Sequence, residues 1–351
     1  MSSNAQIFEC PTAKRLISIW GSRYLADLSE SFTHGDPLVR VRLREAALKQ
    51  GREHTAQKLH SRLIEQQCSL AAVRVKDLYS KYDASVFVET AHIAKFLSRL
   101  YLKLLEAYSD FLPVAMAPEG ESWEEMENIS LDTWGIPNIV KLANALRTLL
   151  LELQQQYMLP KNWQSLGFLT TQINLTNSLL LQALTPAEQA LINPYFKFLE
   201  EYVAIPWQRL CLAATNYPQD SASMTIVESM LSLATKISGT VYEKWYERFP
   251  TYNSRRGTLN HPGIIHSCIR DFDMFQVYLW VCFLEGNLSF VQQELSPICI
   301  IIFHTLGIPW EMTFEGTIFL MHEILKQLEP YQKDLVRPYT QEMINIFMAM
   351  G

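Results

Sequence analysis

Apolar residues recur along this chain at intervals of three and four, and hardly anywhere at the alternation of a half-buried strand. From Asp36-Pro37, a carboxylate before a proline suited to the first helical position, a long polar-rich stretch runs to about Tyr82. Within it Leu48, Leu59, Leu63, Val73 and Leu78 keep a roughly helical spacing. A second stretch, 84–112, sets Phe87, Phe96, Leu100, Tyr101, Leu104 and Leu105 on one stripe. Residues 113–137 break the pattern. There Pro113, Pro118, Gly120 and Pro137 bracket Glu119, Glu121, Glu124, Glu125, Glu127 and Asp132, which predicts an acidic loop.

Helical spacing resumes over 138–157 and 163–183. Thr185-Pro-Ala-Glu188 reads as a capping box with proline in the first turn. The helix it opens is expected to be interrupted at Pro194 and to end before Pro206. Another reaches about Asn216, and Tyr217-Pro-Gln-Asp220 leads into 221–248. The longest apolar runs, 277–284 and 297–303, fall short of the roughly 18–20 residues of a membrane span and suit buried core helices. With no Asn-Gly or Asp-Gly hairpin turn, the expectation is an all-α protein with no membrane insertion. At 351 residues it has room for two domains, expected over 1–165 and 185–351.

Charge adds an asymmetry. The chain carries a net −6, which argues against nucleic acid as the main partner. Yet residues 1–80 hold twelve Lys/Arg against eight Asp/Glu, a net +4, leaving −10 for the remainder. Arg40, Arg42, Arg44, Lys49, Arg52, Lys58, Arg62, Arg74 and Lys76 read first as a solvated helical face, and then as a surface for docking an acidic protein. The cysteines at 10, 68, 211, 268, 282 and 299 form no C-x-x-C pair and no zinc spacing. Arg15 and Arg23 interrupt every short apolar run near the start, so no signal peptide is expected, and the reading is a protein of the reducing cytoplasm.

The sharpest chemistry lies in His266-Ser-Cys-Ile-Arg-Asp271 at the mouth of a strongly apolar segment. On a helix Cys268 and Asp271 share a face. Sulfur there could bond a ligand covalently while the carboxylate accepts from its N–H groups. Glu89-x-x-His92 has the spacing of half a di-iron carboxylate site, but that chemistry needs two such motifs, and His322-Glu323 lacks the spacing. No phosphate-binding glycine loop, nucleophile elbow or dinucleotide pattern is present, so no enzyme is expected.

Ser267-Cys-Ile-Arg-Asp271, its long apolar helix, Glu285-Gly286-Asn287 and Thr305-Leu-Gly-Ile-Pro309 together resemble the phycobiliproteins of cyanobacteria and red algae. In that family a Cys-x-Arg-Asp motif opens a helix, Ala-Gly-Asp closes it, and Leu-Gly-x-Pro ends the next. The segment 221–248, ending in Arg248-Phe249-Pro250, is similar to the helix before the family's chromophore region, and the likeness covers roughly 185–345. It implies a globin-like helical domain with a tetrapyrrole-sized cleft, preceded here by a second helical domain of unnamed family. It also implies that Cys268 stands where a cysteine forms a thioether to a linear bilin of the phycocyanobilin kind. Asp271 stands where a carboxylate bonds the inner pyrrole nitrogens, and Arg270 where an arginine pairs with a propionate.

The chain departs from the pattern in three places. Val277 replaces a second arginine, Glu-Gly-Asn replaces Ala-Gly-Asp, and an insertion with Gly257, His261, Pro262 and Gly263 separates Arg255-Arg256 from the cysteine. Globin ancestry also raises haem, with His304 near the column of a proximal histidine. Its one-residue offset, which puts Phe303 in that column, turns the side chain by about 100°. The expectation is therefore a non-antenna regulator or adaptor of cyanobacterial bilin metabolism or phycobilisome function. Its partners would be pigment-synthesis or phycobilisome proteins, and a homo-oligomer is compatible with it. A covalent bilin-bearing subunit and a haem sensor or carrier are the alternatives.

Overall fold

The structure, a computed structural model, describes residues 10–32, 37–79, 85–113, 134–136, 139–157, 163–254 and 257–350. Among them are fifteen α-helices. The first seven are α1 (Pro11–Phe32), α2 (Pro37–Ala47), α3 (Lys49–Lys58), α4 (Ser61–Tyr79), α5 (Ser85–Asp110), α6 (Ile139–Ala145) and α7 (Arg147–Tyr157). Then come α8 (Trp163–Leu181), α9 (Pro186–Ala204), α10 (Trp207–Ala214), α11 (Ala222–Arg248) and α12 (Pro262–Glu285). A π-helical turn, Val291–Leu295, precedes α13 (Ser296–Leu306), α14 (Trp310–Gln327) and α15 (Pro330–Met348). The described strand content is one two-residue hairpin, β1 (Asn253–Ser254) with β2 (Gly257–Thr258). The chain is all-α, and no described helix is long and apolar enough to cross a membrane.

By packing, the chain divides into two compact units, neither continuous in sequence. One comprises residues 20–159 and 168–200; the other comprises 1–19, 160–167 and 201–351. A linear cut between 165 and 185 therefore separates segments that pack together. Residues near the start join the second unit because Thr12 donates to the carbonyl of Ala214 and Arg15 pairs with Glu228.

In the first unit, the polar stretch expected as one helical run is three helices. Breaks fall at Leu48, which is extended, and at Leu59-His60. The reason lies in α3, KQGREHTAQK, which has no large aliphatic or aromatic side chain to bury. It is held instead by Arg52 and Thr55, both fully buried. Arg52 thus leaves the solvated basic face on which its sequence context placed it. Its guanidinium donates to the carbonyls of Ala47 (3.0 Å), Tyr108 (2.8 Å) and Trp134, reaches the Tyr195 hydroxyl at 3.5 Å, and lies over the Tyr108 ring. Tyr195 in turn donates to the carbonyl of Gly135 at 2.6 Å. Gly135 itself has φ +66, and a Cβ there would stand 2.4 Å from the Phe111 carbonyl oxygen and 2.6 Å from the Arg52 guanidinium.

Two further expectations shift on contact with packing. Leu48 and Val73 are half exposed (50% and 53%), whereas the buried stripe of α4 is Ile64, Cys68, Ala71, Val75 and Tyr79. Helix α9 is not interrupted at Pro194 but continues to Ala204. A proline inside a helix costs about 3 kcal/mol. Tyr195, Phe196, Phe198 and Leu199, directly after it, are almost wholly buried, and each contributes about 1.5–3 kcal/mol on burial, which outweighs that cost. The Thr185 capping box forms, with the Thr185 N–H donating to Glu188 at 2.8 Å and the Glu188 N–H to the Thr185 hydroxyl at 3.4 Å. The expected acidic loop lies almost wholly outside the described residues, as do Phe87's side chain and Arg255-Arg256.

In the second unit, α11, α12, α14 and α15 pack around a core that includes Val277, Leu279, Trp280, Val281 and Leu320, all inaccessible. Polar side chains also meet within this core. Ser238 donates to Asp273 at 2.6 Å, and the Gln276 amide donates to Ser238 (2.8 Å) and to the carbonyl of Ala234 (3.0 Å).

Candidate functional site

The helix that carries the Cys-Ile-Arg-Asp run begins a turn and a half before it. His261 caps α12, its Nδ1 accepting from the Gly263 N–H at 3.2 Å, and Pro262 opens the first turn. The helix ends at Gly286, whose φ of +73 returns its N–H to the carbonyl of Cys282. Asn287 completes the turn by accepting from the Ser289 N–H, while Glu285 makes a two-pronged ion pair with Arg209 at 2.7 and 2.8 Å. The Leu-Gly-Ile-Pro turn works in the same way. Gly307, at φ +71, donates to the carbonyl of His304, and Ile308 donates to that of Phe303 at 2.8 Å, the paired bonds of a left-handed helix stop. Both glycine motifs are thus chain-reversing caps.

Cys268 lies in the second turn of α12, partly exposed, against an apolar cluster of Tyr242, Trp245, Leu259, Ile264 and Met312. Phe249, Tyr252 and Phe272 pack on the same cluster. Trp245 sits edge-on to Phe249 and Phe272, with ring centroids 5.9 and 6.3 Å away, and its indole N–H donates to the Met312 carbonyl at 2.7 Å. The insertion before α12 is the β1–β2 hairpin with the turn after it. Its Leu259 is buried in the cluster, and the Tyr242 hydroxyl donates to the Leu259 carbonyl. Tyr252 reaches from the hairpin's start to the Gly307 carbonyl at 3.3 Å.

Arg270 and Asp271 meet each other. The guanidinium donates through Nε (3.0 Å) and through a terminal nitrogen (2.6 Å) to one Asp271 oxygen. Their side chains are 13% and 29% exposed, so the arginine is the more enclosed partner. Asp273, two residues on, is a core carboxylate bonded to Ser238, so the two aspartates divide between surface and interior. Val277 is fully buried, and an arginine at that position would have to enter the packed core. His304, on the last turn of α13, is exposed, and Phe303 before it is partly buried.

Among the four cysteines from 211 onward, Cys268 differs from the rest. Burial pushes the thiol pKa of Cys211 up to about 12 and that of Cys282 to about 11. Burial also raises Cys299 well above the usual thiol range, with the Asp271 charge adding to it. Such thiols stay protonated and inert. Cys268 alone in this group is partly exposed. Burial likewise raises the Tyr242 phenol to about 12, with Cys268 close enough to contribute.

The donor set is therefore the one a linear tetrapyrrole uses, a thiol and a carboxylate on one helix face with a guanidinium beside them. The carboxylate is engaged by Arg270, and Leu259 with the aromatic rings forms the apolar cluster against which Cys268 packs. Trp245, Tyr242 and Leu259 were not singled out by sequence reading. The first two lie on the periodic face of 222–248 and could have been found there. Leu259 could not, because a short hairpin leaves no periodic signal. No group of three or more potential metal ligands occurs among the described residues, and His92 stands exposed on α5.

Fold and site together define a helical, globin-like domain built around a thiol-bearing helix with glycine-stopped ends. Residues 209–347 match the family model described as Phycobilisome protein, so the C-terminal half of the chain is phycobiliprotein-like. No curated protein and no solved structure matches significantly.

Proposed function

We propose that this protein is a non-antenna, phycobiliprotein-like regulator or adaptor in bilin metabolism or phycobilisome function, acting by binding and not by catalysis. The observation that carries this reading is the state of the helix face at Cys268. A light-absorbing subunit needs that carboxylate for pyrrole N–H groups and that cleft for the chromophore. Here Arg270 takes the carboxylate, and the chain's own hairpin supplies Leu259 to the apolar cluster. The charge asymmetry between the first 80 residues and the rest adds a protein-binding character that an antenna subunit does not require.

A covalent bilin-bearing subunit is the second reading, favoured by the partial exposure of Cys268 where the other three thiols from residue 211 onward are buried. Co-expression with haem oxygenase and a bilin reductase, followed by denaturing electrophoresis and zinc-induced fluorescence, separates the two. The regulator reading expects no stoichiometric covalent band and co-purification of pigment-synthesis or phycobilisome proteins. A stoichiometric fluorescent band that disappears in Cys268→Ala would establish the second reading in its place.

A further inference from the structure

Where α12 ends, the second unit holds a cluster of charge that the Cys268 site does not use. The π-helical turn Val291–Leu295 runs straight into α13, with the Ser296 N–H reaching back to the Val291 carbonyl. Single π-turns are rare and often mark functional sites. Val291 and Leu295 are fully buried, which anchors this one at both ends. Between them Glu294 is half-buried, and its carboxylate accepts from the Tyr278 hydroxyl at 2.5 Å.

Tyr278 is itself buried and stacks on Phe290, with ring centroids 4.5 Å apart and planes at 27°. The Arg209 guanidinium lies 3.7 Å over the same Phe290 ring. Two groups at those distances cannot share one face of a ring. Arg209, Phe290 and Tyr278 therefore form a three-layer stack, with Glu294 bonded to its last layer. On its other side Arg209 grips Glu285 through two bonds, at 2.7 and 2.8 Å. One guanidinium thus serves two carboxyls, and Glu285 first and Glu294 after it raise the arginine's own pKa. Among the described residues, the titratable and charged groups around Glu294 are Tyr278, Cys282 and Glu285 from α12, Arg209 from α10 and Cys299 from α13. Burial keeps both thiols protonated, so they add no charge.

We propose that Glu294 and Glu285 compete for Arg209, which makes the π-turn a proton-operated latch. While Glu294 is protonated, Arg209 closes on Glu285 and ties α10 to the end of α12. When Glu294 ionises, the guanidinium shifts toward it and that tie loosens. Burial holds the Glu294 carboxyl neutral to higher pH than an exposed one, against the opposing pulls of Tyr278 and Arg209. The latch is accordingly closed on the acid side and eases as pH rises through the raised value. It goes beyond the adaptor reading and does not depend on it, and the bilin assay at Cys268 can come out either way without touching it.

The test is a pH titration of the full-length protein carrying ¹³C at its glutamate carboxyls. The Glu294 signal is assigned by its loss in Glu294→Gln, and it should titrate above the ordinary carboxylate range. Glu285→Gln releases the arginine and should lower the midpoint by about one pH unit, whereas Arg209→Gln should raise it by about as much. Both replaced side chains are partly exposed, at 25% and 42%, and far-UV circular dichroism checks that the variants fold. Removing Glu285 also removes a like charge, so the double variant decides between repulsion and competition. With no guanidinium to share, the glutamate change should leave the midpoint where Arg209→Gln put it. Deuterium exchange, corrected for the intrinsic pH dependence of amides, reads the latch itself. Amides of α10 and of residues 286–296 should lose protection as pH rises through the midpoint in wild type, and not in Glu294→Gln. A midpoint in the ordinary range, an unshifted midpoint in either single variant, a Glu285 effect that persists without Arg209, or exchange that follows pH equally in Glu294→Gln overturns the proposal.

Discussion

Arg52 in α3 and Arg270 in α12 are both withdrawn from water, and the two units of the chain use them in opposite ways. Arg52 is fully buried and is satisfied by three backbone carbonyls and a tyrosine hydroxyl drawn from residues far apart in sequence. Arg270 is bonded to the side chain of its immediate neighbour. The first arrangement exists only when the unit is folded, because nothing local brings Ala47, Tyr108, Trp134 and Tyr195 together. The second can form in an unfolded chain. A long-range network therefore adds to stability, while a neighbour pair chiefly decides what the carboxylate is free to bind. That difference ranks the experiments that follow.

The largest effect is expected from Arg52→Met. The methionine fills the volume but leaves the Tyr108 and Trp134 carbonyls without a donor, at about 1–3 kcal/mol for each buried orphan. A loss of about 3–5 kcal/mol in urea denaturation, with the far-UV spectrum of the folded state retained, is the expected result. A loss below about 1 kcal/mol would show that water replaces the guanidinium and that the network is dispensable.

Gly135→Ala comes next. A left-handed residue with a Cβ costs about 1–2 kcal/mol before any clash, and here the Cβ would meet the Phe111 carbonyl and the Arg52 guanidinium. A loss of about 2–3 kcal/mol is expected. The double variant with Arg52→Met should lose less than the sum of the two, since one displaced group is then already gone.

These two positions also mark how far the sequence could be read. Helix content, the Thr185 capping box and both glycine stops were legible because each is local: a periodicity, an oxygen three residues from an N–H, a residue tolerant of positive φ. The Cys268–Asp271 face was legible for the same reason. Arg52 was not, because an arginine in KQGREHTAQK looks like any solvated cation, and its acceptors lie up to 143 residues away. Pro194 misled in the same sense, since the aromatic burial that keeps α9 continuous is a tertiary effect. At the site, the helix that carries Cys268, Arg270 and Asp271 was expected, while the pairing of the last two was not foreseen. Whether a guanidinium reaches outward to a ligand or sideways to its neighbour is set by side-chain packing, which spacing does not encode.

Smaller effects of opposite sign are expected from two glutamates, one in each unit. Burial alone would raise the pKa of Glu188, but Lys58 at 2.8 Å and Thr185 outweigh it and hold the carboxyl below its usual range. Its contribution is present above the unfolded value and is lost as pH falls through the folded one. Glu188→Gln should therefore destabilise at neutral pH by about 1–2 kcal/mol, and the difference from wild type should shrink in acid. Burial raises the carboxyl of Glu294 despite the 2.5 Å bond from Tyr278. Its charged form costs stability, so that cost appears as pH rises from the unfolded value through the raised one. Glu294→Gln should stabilise by less than about 1 kcal/mol at neutral pH and be neutral in acid. Paired urea titrations at neutral and acidic pH read both signs, and parallel pH dependences in the two variants would contradict this assignment.

The smallest effect is expected where the sequence signal was strongest. In a double-mutant cycle of Arg270→Gln and Asp271→Asn, the coupling energy should be below about 1 kcal/mol, because the pair is partly exposed and its members are adjacent in the chain. The variants should unfold close to wild type. A coupling of about 2 kcal/mol or more would mean that the pair is made only by folding, and the contrast with Arg52 would fail. A small coupling has a functional consequence. The carboxylate on the Cys268 face is then held by a bond worth little, so a ligand with two or more N–H donors could displace the guanidinium at low cost. In the regulator reading, what keeps such a ligand out is then the packing of Leu259 and the aromatic rings beside Cys268, not the ion pair. Leu259→Ala, alone or with Arg270→Gln, tests that ordering directly. Under co-expression with bilin-forming enzymes, pigment at Cys268 should increase with the leucine change and respond little to the arginine change by itself.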